Sequence, residues 1–239
     1  MHAVMNRSMY ANPWNRRLAA VLPMLAGAMA AHAGGHFEVD DAGTLNAGEC
    51  QVELWGGHGQ RTDINFFHVG PACGVGVVEL GLNEDVSRGN LKANLLGPQV
   101  KWTFFGRDGS GPLSAALSAG TLKDVRNGGR WGGQGLLALS WQALEPLAFN
   151  ANVGADWAPG DGARSSRGGL QVQWSLRPDF TLIAERNHSF SQWGTRVGFS
   201  WQLAEQTSID FSVARLGLGG GETVYTVGLN QLFDFGGKR

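Results

Sequence analysis

The sequence predicts an all-β protein: a transmembrane antiparallel up-and-down β-barrel of about 12 strands behind an N-terminal signal peptide. Three observations support this fold class. Apolar and polar residues alternate along most of the chain, glycine accounts for 37 of the 239 residues, and charged residues make up only 16%. The longest strict alternation is Leu147–Trp157, whose odd positions are apolar and whose even positions are small or polar. Because about 9–11 residues of tilted strand cross a bilayer, the recurrence of this pattern favours a membrane barrel.

Residues 1–33 have the features of a secretory signal peptide. Basic residues precede the apolar run Leu18–Ala31, and Ala31-His32-Ala33 fits a small-x-small cleavage site. The run is shorter than the roughly 20 apolar residues that a membrane-spanning helix needs. We therefore expect cleavage near Ala33 and a mature chain that begins at Gly34.

Residues 34–48 are polar and show no sustained period, and they include Glu38, Asp40 and Asp41. We interpret them as a periplasmic lead-in that lies under the barrel or enters its mouth. Residues 49–239 alternate between strand patterns and turn signals, which predicts the transmembrane barrel. The twelve predicted strands span residues 49–60, 64–73, 75–86, 95–105, 112–122, 133–143, 147–157, 168–177, 180–189, 193–203, 207–217 and 224–235.

The predicted connections indicate an orientation. Those that follow even-numbered strands are mostly short, whereas those that follow odd-numbered strands are longer and richer in glycine or charge. Bacterial outer-membrane barrels have short periplasmic turns and longer external loops, so we expect both termini in the periplasm of a Gram-negative cell. The last strand, with Phe233 and Phe235 on one apolar face, resembles the C-terminal signature of such barrels. Outer-membrane lipids and the barrel-assembly machinery are therefore the expected partners.

The polar face of each strand is expected to line a lumen, because a charge in mid-strand is tolerated only where water or a partner reaches it. The candidate lumen-lining residues are Glu53, Glu79, Lys101, Asp156, Arg177, Glu185, Arg196 and Asp210. Their signs are mixed. They form either salt bridges that close the barrel or a polar track for a small solute.

Cys50 and Cys73 are the only cysteines. If the first hairpin turns at Arg61 and Thr62, the two cysteines face each other at a Cα separation of about 4.5–5.5 Å, which a disulfide spans. We predict a disulfide near the periplasmic rim, where oxidation is available. Two free thiols are the alternative, because the turn has no glycine to fix the register.

Motifs of nucleotide-binding and metal-binding proteins are missing from the sequence, which predicts no cofactor, no metal and no enzymatic activity. The mature chain is mildly acidic, which gives no sign of a nucleic-acid partner. One alternative is a lipid hydrolase, since Glu185, His188, Ser189 and Ser191 bring a carboxylate, an imidazole and hydroxyls close together in sequence. Their spacing differs from the His-x-Ser-Asn pattern of outer-membrane lipid hydrolases. Polar residues at a strand end are the simpler interpretation.

The stretch Phe37–Gly57 resembles the outer-membrane β-barrels of the MetA-pathway phenol-degradation (transporter-like) family. The residues that carry the likeness are Asp40, Asp41, Thr44, Gly48, Glu53 and Leu54. This resemblance implies an outer-membrane barrel that moves small molecules, aromatic ones among them, and it covers about a tenth of the chain.

Together these features predict a narrow outer-membrane channel or facilitator for a small-molecule solute. Barrels of about eight strands are filled by side chains and those of about sixteen contain an aqueous channel, so a twelve-stranded barrel lies between them. The alternatives are a closed structural or interaction barrel without flux and, in third place, the lipid hydrolase.

Overall fold

The computed structural model describes residues 36–107, 109, 111–217 and 221–236. The predicted signal peptide, residues 1–33, lies outside the described residues, as do the first two residues of the predicted lead-in. Within the described ranges, no helix is long and apolar enough to span a membrane.

In the described part of the chain, twelve antiparallel strands form one closed barrel, which confirms the predicted fold class. Each strand pairs with its neighbours in sequence, and the last strand pairs with the first. The strands are β1 (Glu49–Gly59), β2 (Ile64–Val75), β3 (Val78–Arg88), β4 (Ala93–Phe105), β5 (Leu113–Asp124), β6 (Gly132–Leu144), β7 (Leu147–Trp157), β8 (Arg164–Arg177), β9 (Phe180–Ser189), β10 (Gln192–Ala204), β11 (Thr207–Leu216) and β12 (Glu222–Asp234).

We call the end of the barrel where β1 begins and β12 ends the terminal end, and the opposite end the loop end. Two predicted boundaries differ from the structure by more than two residues. The turn between β2 and β3 lies at Gly76 and Val77 instead of Gly74, because Gly76 has the positive φ of 64° that a tight turn requires. Strand β8 begins at Arg164, four residues before its predicted start.

Side-chain burial follows the alternation of the sequence. Leu170 is 69% exposed on the outer face, while the next residue, Gln171, is 2% exposed inside the barrel. The same contrast separates Val153 from Asn152 and Val227 from Thr226. An exposed apolar surface of this extent, wrapped around a polar interior, is the arrangement of a barrel that faces lipid.

The first hairpin has the predicted register. Cys50 faces Cys73, and Trp55 faces His68 on the inner side. A disulfide joins Cys50 and Cys73, which confirms that prediction. It links β1 and β2 at the terminal end of the barrel.

Candidate functional site

The N-terminal segment, defined here as residues 36–46, runs inside the barrel. It enters at the terminal end, passes the β3 and β4 walls near Leu45, and reaches β8 and β9 at Val39. Val39 and Ala42 are completely buried and Leu45 is 1% exposed. The predicted lead-in is therefore a plug in the lumen along this stretch.

A glycine makes this path possible. A Cβ atom on Gly74 would lie 2.0 Å from the backbone oxygen of Asn46, so any other residue there would block the segment. Ala47 forms a parallel bridge with Gly74, and the Gly48 N–H donates to the Gly74 carbonyl at 3.1 Å. The disulfide at Cys73 fixes the strand beside this bend.

Side chains of the barrel wall accept the backbone N–H groups of the segment. Glu185 accepts from Glu38 at 3.0 Å and from Val39 at 3.1 Å. Asn152 accepts from the Asp40 N–H at 2.7 Å and donates to the Asp40 carbonyl at 2.8 Å. Its side-chain amide thus bonds both backbone groups of Asp40, as the backbone of a neighbouring strand would. Because buried N–H groups need partners, these contacts specify where the segment lies.

The same role recurs at two further points along the segment. Ser140 accepts from the Ala42 N–H at 2.9 Å, and Glu79 accepts from the Leu45 N–H at 2.9 Å. Inward side chains link Ser140 to Glu185 through hydrogen bonds. Ser140 donates to Asn150, Asn150 donates to Gln171, and Gln171 donates to Glu185.

Ion pairs add a second set of contacts. Lys101 binds Asp40 at 2.8 Å and Asp41 at 3.4 Å. Arg167 contacts Glu38 at 3.2 Å and Asp156 at 3.3 Å. Both basic side chains are about nine-tenths buried, so these pairs are shielded from the screening that weakens surface salt bridges.

The structure places seven of the eight predicted lumen-lining charges on the inner wall. Four of them, Glu79, Lys101, Asp156 and Glu185, are described above, and three others complete the set. Arg196 lies 3.7 Å from Glu185, and Asp210 accepts from Asn230 in a buried site. Glu53 is half-buried and accepts from Gln51 at 3.2 Å.

Arg177 lies apart from this group. It ends β8 at the terminal end, its side chain is 62% exposed, and it pairs with Asp179 across the turn. A register shift between Ser175 and Arg177 ends the regular pairing there. We therefore remove Arg177 from the candidate lumen-lining set.

Sequence reasoning missed several inward residues that the structure brings together. Arg167 was assigned to a loop because β8 was predicted to start one residue after it. Asn150 and Asn152 carry no charge, so the criterion of a mid-strand charge does not identify them. Their alternation with Phe149, Ala151 and Val153 was the available signal.

A cavity of about 280 Å³ lies between the N-terminal segment and the opposite wall, close to the lower end of ligand-pocket volumes, about 300 Å³. The segment contributes one side of it, from His36 to Gly43. Strands β1 to β6 contribute much of the other side, with polar and aromatic side chains such as Glu53, Trp55 and Asn83.

Two imidazoles line this cavity. His68 stacks on Trp55 with ring centroids 4.4 Å apart and bonds Asp85 at 2.7 Å. His36 is 4% exposed, and neither of its ring nitrogens has a partner among the described residues. Burial and, to a smaller extent, the positive charge of the nearby Arg196 lower the pKa of His36 to about 3, so its ring is neutral at ordinary pH.

The residues of the lipid-hydrolase alternative do not come together in one site. Glu185 points into the lumen and binds the N-terminal segment, whereas His188 packs against Trp193 and bonds the Ser166 carbonyl at 2.8 Å. Residues 185 and 188 are three apart in a strand and therefore point to opposite faces. Because the carboxylate cannot orient the imidazole, the geometry does not support nucleophilic hydrolysis at this position.

Comparison with known proteins establishes the family and the fold. The chain belongs to the family described as "Uncharacterised conserved protein UCP029691", whose model matches residues 20–233. No curated protein matches it in sequence.

Among solved structures, the chain is similar to the NanC porin in a rhombohedral crystal form, with a TM-score of 0.60 and 14% identity over 75% of this chain and 98% of that one. It is also similar to the KdgM porin, with a TM-score of 0.60 and 10% identity over 77% and 99% of the two chains. The KdgM porin in complex with disordered oligogalacturonate matches with a TM-score of 0.59 and 11% identity over the same shares. At these identities the comparison establishes a shared barrel fold.

Proposed function

We propose that this protein is a narrow channel or facilitator for small molecules in the outer membrane of a Gram-negative bacterium. The observation that carries the proposal is the lumen itself: a closed barrel with an apolar exterior holds a polar cavity beside the N-terminal segment. The porin folds of the comparison structures support the same function.

The membrane arrangement follows from the surface. The outer face is apolar and contacts outer-membrane lipids, and the terminal end faces the periplasm. The signal peptide, residues 1–33, directs export and is removed near Ala33. The barrel-assembly machinery inserts the chain by way of its last strand, β12.

The solute is small, because the segment occupies much of the lumen. The resemblance of Phe37–Gly57 to the MetA-pathway phenol-degradation (transporter-like) family extends this proposal to small aromatic molecules. The lumen-lining charges, without Arg177, form the polar track. A second candidate, a closed barrel without flux, is favoured by the buried contacts of Val39 and Leu45, since these seal one side of the lumen.

Single-channel recording distinguishes the two candidates. Protein produced from the full chain is purified from the outer membrane and reconstituted in a planar lipid bilayer, and insertion is verified separately. We expect discrete conductance steps, and larger steps from a variant that lacks residues 36–46. An inserted wild-type barrel that stays silent while the deletion variant conducts would refute the channel and establish the closed barrel.

A further inference from the structure

The charge of the lumen cavity is strongly unequal. Carboxylates outnumber basic side chains by six to two among the described residues that line it. The six are Glu38, Asp40, Asp41, Glu53, Glu79 and Asp85, and the two are Lys101 and Arg167. The imidazole of His36, whose pKa is lowered to about 3, adds no formal charge.

The two basic side chains offset only part of this negative charge. Lys101 is held between Asp40 and Asp41, and Arg167 is shared between Glu38 and Asp156. Asp156 is a further carboxylate, so the Arg167 charge is already divided between two acids. A solute that enters the cavity therefore meets a net negative wall.

The N-terminal segment supplies half of the six carboxylates, the three that Lys101 and Arg167 contact. They are Glu38, Asp40 and Asp41, and the backbone of the segment separates the cavity from the opposite side of the lumen. Arg196 approaches Glu185 on that other side. The acidic cavity therefore lies on one side of the segment, and the segment itself occupies the part of the lumen beside Glu185.

Two uncharged features of the cavity suit an organic cation. Trp55 lines the cavity with an aromatic ring, one face of which His68 covers, and cations are attracted to the faces of such rings. His36 lines the cavity, is 96% buried, and has no hydrogen-bond partner for either ring nitrogen among the described residues; in a neutral imidazole one of these nitrogens is an acceptor, which an ammonium group can satisfy. Buried polar atoms without partners mark places where a ligand or water belongs.

We propose that this cavity selects cations, small organic ammonium ions among them, and excludes anions. The proposal rests on the channel function and names its solute class. Clefts that are lined by one sign of charge raise the local concentration of the opposite ion, and rings of Asp and Glu make pores selective for cations. An oligogalacturonate, whose sugars carry carboxylates, would be repelled.

The first test is a reversal-potential measurement in a KCl gradient with the wild-type protein. We expect K⁺ to permeate about tenfold or more better than Cl⁻. The variants Glu53→Gln and Asp85→Asn should each reduce this ratio. Glu145→Gln makes the same chemical change in an exposed turn outside the cavity and should leave the ratio unaltered. A ratio of one or less, or one that the two cavity variants leave unchanged, would overturn the proposal.

A second test is independent of ion flow. The fluorescence of Trp55 is obtained by subtracting the emission of a Trp55→Phe variant, and it is titrated with caesium, a cationic quencher, and with iodide, an anionic one. We expect quenching by caesium alone. Trp131, exposed at the loop end, should be quenched by both and serves as the control through Trp131→Phe.

Together the two tests distinguish failure of the channel function from failure of the cation selectivity. A silent bilayer with caesium-selective quenching would refute the channel and retain the cation-selective cavity. Conductance with stronger quenching of Trp55 by iodide would retain the channel and overturn the cation selectivity.

Discussion

Replacing Glu185 with glutamine should release the N-terminal segment from the lumen. Glu185 accepts two backbone N–H groups of the segment, at 3.0 and 3.1 Å, and a third N–H from Gln171 at 3.0 Å. Its side chain is completely buried and lies 3.7 Å from Arg196. The Glu185→Gln change removes the negative charge and turns one acceptor oxygen into an NH₂ group that faces other donors.

The expected effect follows from these contacts. A hydrogen bond to a charged group contributes about 1.5–3 kcal/mol, and removing one partner of a buried ion pair costs about 3–5 kcal/mol. Part of this loss is recovered when the segment leaves, because water then reaches Arg196. We therefore expect the bound state of the segment to lose about 3 kcal/mol, which raises its released population about 100-fold.

Hydrogen–deuterium exchange read by mass spectrometry measures this population directly. In Glu185→Gln, amides in peptides that cover residues 38–45 should exchange about 100-fold faster than in the wild type. Amides of the barrel strands should keep their wild-type rates, and Glu145→Gln serves as the control for the chemical change. Unchanged exchange of the segment in a folded Glu185→Gln barrel would refute the role assigned to this carboxylate.

Three further predictions concern the segment, the disulfide and the outer face. Gly169→Ala should loosen the segment, because the new Cβ would lie 2.6 Å from a methyl group of Val39. Hydrogen–deuterium exchange of the segment should then be faster than in the wild type. Gly135→Ala, whose new Cβ meets nothing within 4 Å, is the control and should leave exchange of the segment unchanged. Joint replacement of Cys50 and Cys73 by alanine should lower the free energy of unfolding by about 3 kcal/mol in urea titrations, because the crosslink limits the unfolded chain. Leu170 is the most exposed of the apolar strand positions. Leu170→Arg should lower the free energy of unfolding of the barrel in lipid by about 2–4 kcal/mol, the cost of an arginine at the bilayer midplane. A stability equal to that of the wild type would contradict the assignment of this face to the membrane.

The strands were predictable because their signal is local. Period-two alternation records which face of a strand meets lipid, and it located twelve strands with the correct order and the first hairpin with the correct register. The errors arose where a residue's role depended on a distant partner. Gly74 looked like a turn residue, but it is glycine because the segment passes 2.0 Å from where its Cβ would be.

The path of the N-terminal segment was not predictable for the same reason. Its contacts join residues separated by up to 147 positions, such as Glu38 and Glu185. Nothing in the local pattern of the segment distinguishes a plug from a strand-free lead-in. The mid-strand charges of the barrel did indicate a lumen, but not that Glu79 and Glu185 would bind backbone N–H groups there.

The composition of the wall beneath the segment determines what release of the segment would cost. In a soluble domain, release of a buried segment would expose an apolar core to water. Here the wall that the segment leaves is made of Asn152, Gln171 and Glu185, and water satisfies these groups when the segment departs. The penalty for release therefore comes from the segment's own apolar residues, chiefly Val39 and Leu45, from its ion pairs, and from its hydrogen bonds to the charged Glu185. Since residues 36–46 take no part in the strand pairing that closes the barrel, we expect release of the segment to be a local event that does not require the barrel to unfold.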